Sequence, residues 1–441
     1  MSNKNYWIRS GTYTMLQRIA TFLFGFGSYF LLVRYFSIED FGIWTLYLVV
    51  SGSVEMSRSA FIQNAFVKFF NEGEIDKQKL FTSSIVLNLI STLLFIFMLI
   101  ILKPVLQAFW NSDTIGIMIM WYCATSLILI PFTQLNYLEQ ANHSFAGIFW
   151  STVVRQGAFF CIVAAGYFFF PGLSLVFFAS AQFLTACLGL LVAFLLTRKL
   201  QPTNFNFEWH IVKRLFKFGK YILGTGITST VGKNADQVIL GSASHSMVAL
   251  YNSGVRVLNF IEIPSLSISS IVYPKIVERA NTEGIKGVGI LYEKSVSTIL
   301  GFILPVIIGV LILPEFVLSI TAGGRYVEAS GILRIMAVAS ILIPFNIQIG
   351  SVCEVINKPH ISFYINLVSN IMNVVLNIIL IKYFGITGAA CSFAVTVLFI
   401  FIIGQWYISS QLGILSYGVF FKLIDFYKEA FSKILKYLKG V

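Results

Sequence analysis

Apolar residues run through this chain in stretches of about 20 or more, separated by short polar breaks, almost from end to end. A hydrocarbon core about 30 Å thick takes roughly 20 apolar residues of helix per crossing, so the pattern predicts an all-α membrane protein. Twelve transmembrane helices are expected, at 12–35, 41–69, 81–106, 113–138, 147–170, 173–197, 216–241, 248–275, 294–320, 331–353, 360–383 and 386–410. Several of these stretches carry a charge in their middle. Such a charge costs about 2.5–3.5 kcal/mol on insertion scales unless it faces protein or water. The embedded charges therefore mark a polar interior: Arg18 in the first span, Glu55 and Arg58 in the second, Arg155 in the fifth, Lys233 and Asp236 in the seventh, Arg256 and Glu262 in the eighth.

Composition and charge narrow the class. With 57% hydrophobic and 11% charged residues in 441, a soluble globular chain is excluded. The first stretch is too long for the apolar core of a signal peptide and stands as a span. An even number of spans puts both termini on one side, and the positive-inside rule selects which. With cytoplasmic termini, that face holds 21 of the 31 basic residues, among them Lys68, Lys79, Arg214, Lys275, Arg279 and Lys294. The opposite face holds 5 (Arg34, Lys103, Arg325, Arg334, Lys382), and the other 5 are embedded. Topology thus accounts for the net charge of +12, and no nucleic-acid partner is implied. The five cysteines lie in apolar stretches without CxxC spacing and read as small core residues; neither they nor the scattered histidines form a metal-ligand set.

The longest loop, Arg198 to Phe216 with its run Gln201-Pro202-Thr203-Asn204, divides six spans from six. The expected organisation is an N-terminal lobe at 1–212, a C-terminal lobe at 213–411 and a cytoplasmic tail at 412–441. In the tail, Phe420, Leu423, Ile424, Tyr427, Phe431, Ile434, Leu435 and Leu438 recur at helical spacing with lysines between them. That pattern predicts an amphipathic helix on the membrane surface or against the protein's own cytoplasmic face.

The two halves repeat. An offset of 207 lays 42–70 over 249–277 and pairs Trp44 with Tyr251, Glu55 with Glu262 and Lys68 with Lys275. Pro131-Phe132 recurs as Pro344-Phe345, and Glu139-Gln-Ala-Asn142 as Glu354-Val-Ile-Asn357. Copies six spans apart share an orientation, an arrangement used by transporters that rock two lobes about a midplane site.

Three motifs, in this order and spacing, carry a family resemblance over nearly the whole chain. They are Phe36-Ser-Ile-Glu-Asp-Phe-Gly42 with Trp44; Asp236-Gln-Val-Ile-Leu-Gly241 with Tyr251, Arg256, Pro264 and Tyr273-Pro274; and Asn357-Lys-Pro with Asn373, Asn377 and Ile381-Lys-Tyr-Phe-Gly385-Ile-Thr-Gly388-Ala-Ala390. The chain resembles the polysaccharide-transporter (Wzx-type) flippases of the MOP exporter superfamily, which also holds MATE drug exporters and lipid II flippases. Lys382, where that family often has proline, and Ala249, where it often has glycine, depart from the pattern. The resemblance implies two six-helix lobes around a cavity lined by spans 1, 2, 7 and 8. It also implies a bacterial inner-membrane carrier, not an enzyme, that moves an undecaprenyl-pyrophosphate-linked oligosaccharide, an O-antigen or capsule repeat unit, to the outer leaflet by alternating access.

The embedded charges fit that expectation. Five bases against three acids leave a cationic surplus suited to a pyrophosphate, and an arginine fork binds phosphate oxygens bidentately. Arg18, Arg58, Arg155, Lys233 and Arg256 are the candidates for cargo binding. Glu262, Glu55 and Asp236 are the candidates for coupling to H+ or Na+. Against these stand structural readings: Glu55 with Arg58 and Lys233 with Asp236 are spaced to pair on one helix, and Arg18 lies close enough to its helix start to snorkel. Membrane lipids and other glycan-assembly proteins are the further partners, and no cofactor is called for. A MATE-type multidrug or ion antiporter is the rival reading, though cationic drugs favour an acidic cavity. A membrane-embedded glycan polymerase or ligase is the other, though it needs a large extracytoplasmic loop. The run Gly224 to Asn234 has a misplaced glycine and lacks the serine or threonine of a phosphate-binding loop.

Overall fold

The computed structural model describes residues 3–201, 205–413 and 418–438, so Pro202 and the end of the tail lie outside the described residues. Every regular element described is helical: α1 (Asn3–Tyr35), α2 (Ile38–Glu72), α3 (Lys77–Phe109), α4 (Asp113–Ala141), α5 (Ala146–Phe169), α6 (Leu175–Thr197), α7 (Trp209–Ala243), α8 (His245–Ile312), α9 (Pro314–Thr321), a 3-10 turn (Gly324–Ala329), α10 (Ser330–Ser340), α11 (Ile343–Val355), α12 (Pro359–Leu412) and α13 (Gly418–Leu438). Helix starts follow local chemistry. Ser37 accepts from the Asp40 amide at 3.0 Å, and Asp76 accepts from the amides of Gln78 and Lys79 at 3.0 Å each, which satisfies amides that a first turn leaves without intrahelical partners.

Among the described residues, nine helical stretches are long and apolar enough to cross a membrane, which makes this a multi-pass membrane protein. The 54 residues of α12 are one of the nine, yet at 1.5 Å per residue they are long enough for two crossings. Gly385, at φ 55°, bends them between the two expected spans. The helices α2 and α7, interrupted by polar residues, are not among the nine; counting both, and α12 twice, is how twelve crossings would be reached. Spans eight and nine are the two arms of α8, divided at Gly284 (φ 66°) within the stretch 276–293 that was expected to separate them. Two expected boundaries change. The end expected at 320 is broken after Ile312, ahead of Pro314. The tenth span is broken between Ser340 and Ile343, where Pro344 opens α11, since proline lacks an amide hydrogen and its ring clashes with the carbonyl four residues earlier.

The chain forms two compact units, Met1–Asn234 with Gly241–Ser246, and Ala235–Leu240 with Met247–Val441. The first 26 residues of α7 thus pack with the first unit, beyond the expected lobe boundary at 212. In the first unit α4 packs on α6, α3 and α2, and α5 on α1 and α6. Its core joins Phe61, Phe66 and Phe70 of α2 to Leu80 and Leu87 of α3, Leu135 and Leu138 of α4, and Ile211 and Leu215 of α7. In the second unit α12 packs on α10 and α11, around buried Leu333, Met336, Val352 and Ala389. There the tail helix α13 lies on α8: Lys422 Nζ bonds Glu293 Oε2 at 2.6 Å, and the Tyr427 hydroxyl donates to the Gly301 carbonyl at 3.0 Å. Phe420, Phe421, Ile424 and Phe431 of the same helix stay exposed, so α13 has one protein-bound face and one apolar outer face.

The repeat is visible in the elements. The helices α2 and α8 start 207 residues apart. The left-handed glycines Gly73 and Gly284 stand 211 apart, so the first arm of α8 exceeds α2 by four residues, about one turn. Further along, α4 and α11 each end on a left-handed residue, His143 and Asn357, 214 apart. In both caps the next amide reaches back to close the turn, Ser144 to the Glu139 carbonyl at 2.9 Å and Lys358 to the Cys353 carbonyl at 2.8 Å. This register sets Glu139 opposite Cys353, not Glu354. Glu139 is buried and accepts from the Ile148 amide at 2.8 Å, whereas Glu354 is exposed.

Candidate functional site

Each unit holds one buried polar cluster inside its apolar helices. In the first, Arg58 of α2 is fully buried, and its Nη2 donates to both carboxylate oxygens of Glu55 at 2.9 Å. Its Nη1 donates to Asn88 Oδ1 of α3 at 2.5 Å and to Thr133 Oγ1 of α4 at 3.5 Å. Asn88 Nδ2 donates to the same threonine at 3.4 Å. The helical pair that the spacing allowed is therefore formed, and it is extended by two neutral residues into a tie between α2, α3 and α4. Glu55 keeps 28% of its side chain exposed, so one edge of the pair is open.

Arg155 of α5 is placed differently. Its guanidinium lies 5.0 Å from the centre of the Phe132 ring, a cation–π contact, and it makes no hydrogen bond or ion pair with another described residue. The side chain lies close against α6: a Cβ on Gly189 would come within 2.9 Å of Arg155 Cβ, so glycine is what lets the arginine pass there. Arg18 and Lys233, both assigned to this unit, are exposed side chains.

In the second unit the centre is Asp236 of α7, 6% exposed. The Tyr251 hydroxyl of α8 donates to one carboxylate oxygen and the Asn377 amide of α12 to the other. Asn377 also donates to Asn373 Oδ1 at 3.0 Å, and Asn373 donates to Thr396 Oγ1 at 3.3 Å. Beside them, Asn252 donates to Gln237 Oε1 at 3.0 Å. Among the described residues, no basic side chain of this unit forms an ion pair with Asp236. The expected partner on its own helix, Lys233, falls in the other unit. A carboxylate ringed by neutral donors and carbonyl-type oxygens can hold a proton or an unhydrated cation. Arg256 and Glu262, both on α8, are partly buried and belong to this unit.

Sequence reasoning named the charges and missed most of their neutral partners. Asn88, Thr133 and Thr396 carry no charge; their one signal is a polar side chain inside an apolar run, which serine and threonine produce commonly. Asn373, Asn377 and Tyr251 stood in the family motifs without an assigned role. Two further buried bonds also escaped notice. Ser84 Oγ donates to Gln134 Oε1 at 3.2 Å in the first unit, and Gln348 Nε2 donates to Ser295 Oγ at 2.6 Å in the second. The glutamines are 214 apart and the serines 211, the same offsets that relate the caps and the glycines.

Known proteins place this architecture. The lipid II flippase MurJ, in an inward closed conformation, aligns with a TM-score of 0.75 at 14% identity, over 97% of this chain and 93% of that one. An inward-facing multidrug resistance MATE transporter of the MOP superfamily aligns with a TM-score of 0.73 at 14% identity, over 89% and 94%. At that identity the likeness speaks for the fold. In sequence, a probable low-salt glycan biosynthesis flippase of Haloferax volcanii is 23% identical over 403 residues, covering 89% of this chain and 82% of that protein. Residues 31–331 match the family described as "Polysaccharide biosynthesis protein". With its helical halves, its repeat and its buried polar clusters, the chain belongs to that polysaccharide biosynthesis family and has the fold of the MOP-superfamily transporters.

Proposed function

We propose that this protein is a flippase carrying a polyprenyl-pyrophosphate-linked oligosaccharide from the cytoplasmic to the outer leaflet by alternating access, driven by an ion gradient. The observation that carries the cargo is Arg155. An arginine kept in an apolar span with an aromatic ring in place of a carboxylate has a cost that an anionic ligand offsets. In a member of a polysaccharide family, a sugar-linked pyrophosphate is the anion of matching chemistry. Arg256 is the second cargo contact. Arg58 has both terminal nitrogens committed, Nη2 to Glu55 and Nη1 to Asn88 and Thr133, and in this reading it organises its helices. Asp236 is the coupling residue ahead of Glu55 and Glu262, because its cluster surrounds one carboxylate with neutral groups. H+ or Na+ would occupy it in one state of the cycle and leave in the other. The membrane is taken as the bacterial inner membrane on the family resemblance, and the termini as cytoplasmic on the bias of basic residues.

Deleting the gene tests the cargo. The lipid-linked oligosaccharide should accumulate on the cytoplasmic leaflet, and the wild-type gene but not Arg155→Ala should clear it. Normal glycan export in the deletion strain, combined with new sensitivity to cationic drugs, would move the assignment to a MATE-type exporter.

A further inference from the structure

The bend of α8 encloses a second site, separate from both polar clusters. Its arms, His245–Tyr273 and Gly287–Ile312, are each apolar enough to cross a membrane, so the turn between them at Gly284 stands at a membrane surface. Between the arms lies a cavity of about 520 Å³ with an apolar wall of Ile268, Val272 and Leu291 and a charged rim on which the bases Lys275, Arg279 and Lys294 outnumber the acids Glu278 and Glu283. Arg279 is bonded to Glu283 at 3.0 Å. Lys275 and Lys294 form no ion pair among the described residues. At the floor, buried Ser295 accepts from Gln348, which leaves its own hydroxyl hydrogen for a ligand.

The other half of the molecule shows that this cavity is a departure from the repeat. At the equivalent positions the first unit has Phe61, Ala65, Leu80 and Leu87, all part of its apolar core. Two changes remake that face. Leu87 corresponds to Thr298, and buried Ser83 corresponds to exposed Lys294. The extra turn in the first arm of α8, absent from α2, brings Thr282 and Glu283 to the wall. A closed core has thus become an open, amphiphilic pocket whose rim carries more bases than acids.

We propose that this pocket binds a phosphate group, that of an anionic phospholipid headgroup at the membrane surface on the side rich in basic residues. The lysines meet the phosphate oxygens, the Ser295 hydroxyl donates to one of them, and the apolar wall receives the start of the acyl chains. The proposal is independent of the cargo and of the coupling ion.

The test uses the full chain in nanodiscs. Native mass spectrometry and thermal melting would be compared between phosphatidylglycerol, phosphatidylcholine and phosphatidylcholine with added inorganic phosphate. Wild-type protein should retain phosphatidylglycerol and melt higher with it. Lys275→Ala/Lys294→Ala should weaken retention by about tenfold or more, in keeping with the loss of charge-assisted bonds. Thr298→Leu, which restores the residue type of the first unit, should abolish retention while melting no lower in phosphatidylcholine; it guards against a loss that is only misfolding. Equal retention by wild type and both variants would overturn the site. An equal shift from inorganic phosphate without phosphatidylglycerol would overturn the lipid as its source.

Discussion

The two units share a frame and differ in where they put their charge. The frame is the repeated serine–glutamine bond between the third and fourth helices of each half, with the left-handed glycine and the left-handed cap at matching offsets. Into this frame the first unit sets a salt bridge, Glu55 with Arg58, steadied by Asn88 and Thr133. The matching positions of the second unit are Glu262, Ser265, Ile299 and Ile347, which cannot rebuild that tie. The second unit instead sets Asp236 among Tyr251 and Asn377, where the first unit has Tyr29, Trp44 and, on the later offset, Val163. A buried ion pair is internally compensated and fixes geometry. A buried acid held by neutral groups stays exchangeable. In the function proposed above, the first half holds and the second handles the ion.

The largest effect expected from breaking the comparison is on folding. Arg58→Ala leaves Glu55 and Asn88 facing a buried gap, and loss of one partner of a buried pair costs about 3–5 kcal/mol. Melting in detergent should show that loss, and Glu55→Gln/Arg58→Met should recover much of it because no charge is then stranded. Ser265→Ala, at the matching position of the second unit, should melt close to wild type. An equal loss in both units would erase the distinction.

Asp236→Asn should do the reverse. The near-isosteric amide keeps the cluster filled, so melting changes little, but gradient-driven transport in proteoliposomes should fall by about tenfold or more, the scale of an ordinary coupling free energy. Glu262→Gln should fall by less. Undiminished gradient dependence in Asp236→Asn would remove the ion-handling role from the second unit.

Arg155→Ala should lower glycan export by about tenfold or more at normal protein level, since a charge-assisted hydrogen bond contributes about 1.5–3 kcal/mol. Lysine at 155 should restore part of it, because charge remains without the planar fork. Full export by Arg155→Ala would withdraw the cargo contact.

The smallest effects sharpen the frame. Gln134→Leu and Gln348→Leu should each cost about 1 kcal/mol, one buried hydrogen bond, and their near equality would confirm that the two halves use it alike. At the surface, Lys79 donates to Glu208 in the first unit, while Lys422 of α13 meets Glu293 in the second, so each half carries a lysine–glutamate clasp. The bond from Lys79 holds the Glu208 carboxyl below the ordinary carboxylate range. A lowered folded pKa means that this contribution is present above the ordinary carboxylate range and is lost as pH falls through the depressed value. Glu208→Gln should make the acid side of the melting profile shallower only slightly, since the pair is exposed and screened.

The helical class, the membrane and the repeat were legible in the sequence, because span length and the 207-residue offset are properties of the chain alone. The Glu55 and Arg58 pairing was legible too, since helical geometry places residues three apart on one face. The 214-residue register was not, because it depends on which residue takes the left-handed cap. The breaks after Ile312 and Ser340, inside the ninth and tenth expected spans, were missed for a related reason: a proline break interrupts no apolar run. Only the tertiary structure decided what became of each embedded charge. It gave Arg58 two neutral partners from other helices, gave Asp236 its tyrosine and asparagine from residues up to 141 positions away, and left Arg155 beside a ring. A sequence states which charges must be compensated, while the compensating groups come from whichever helices pack alongside.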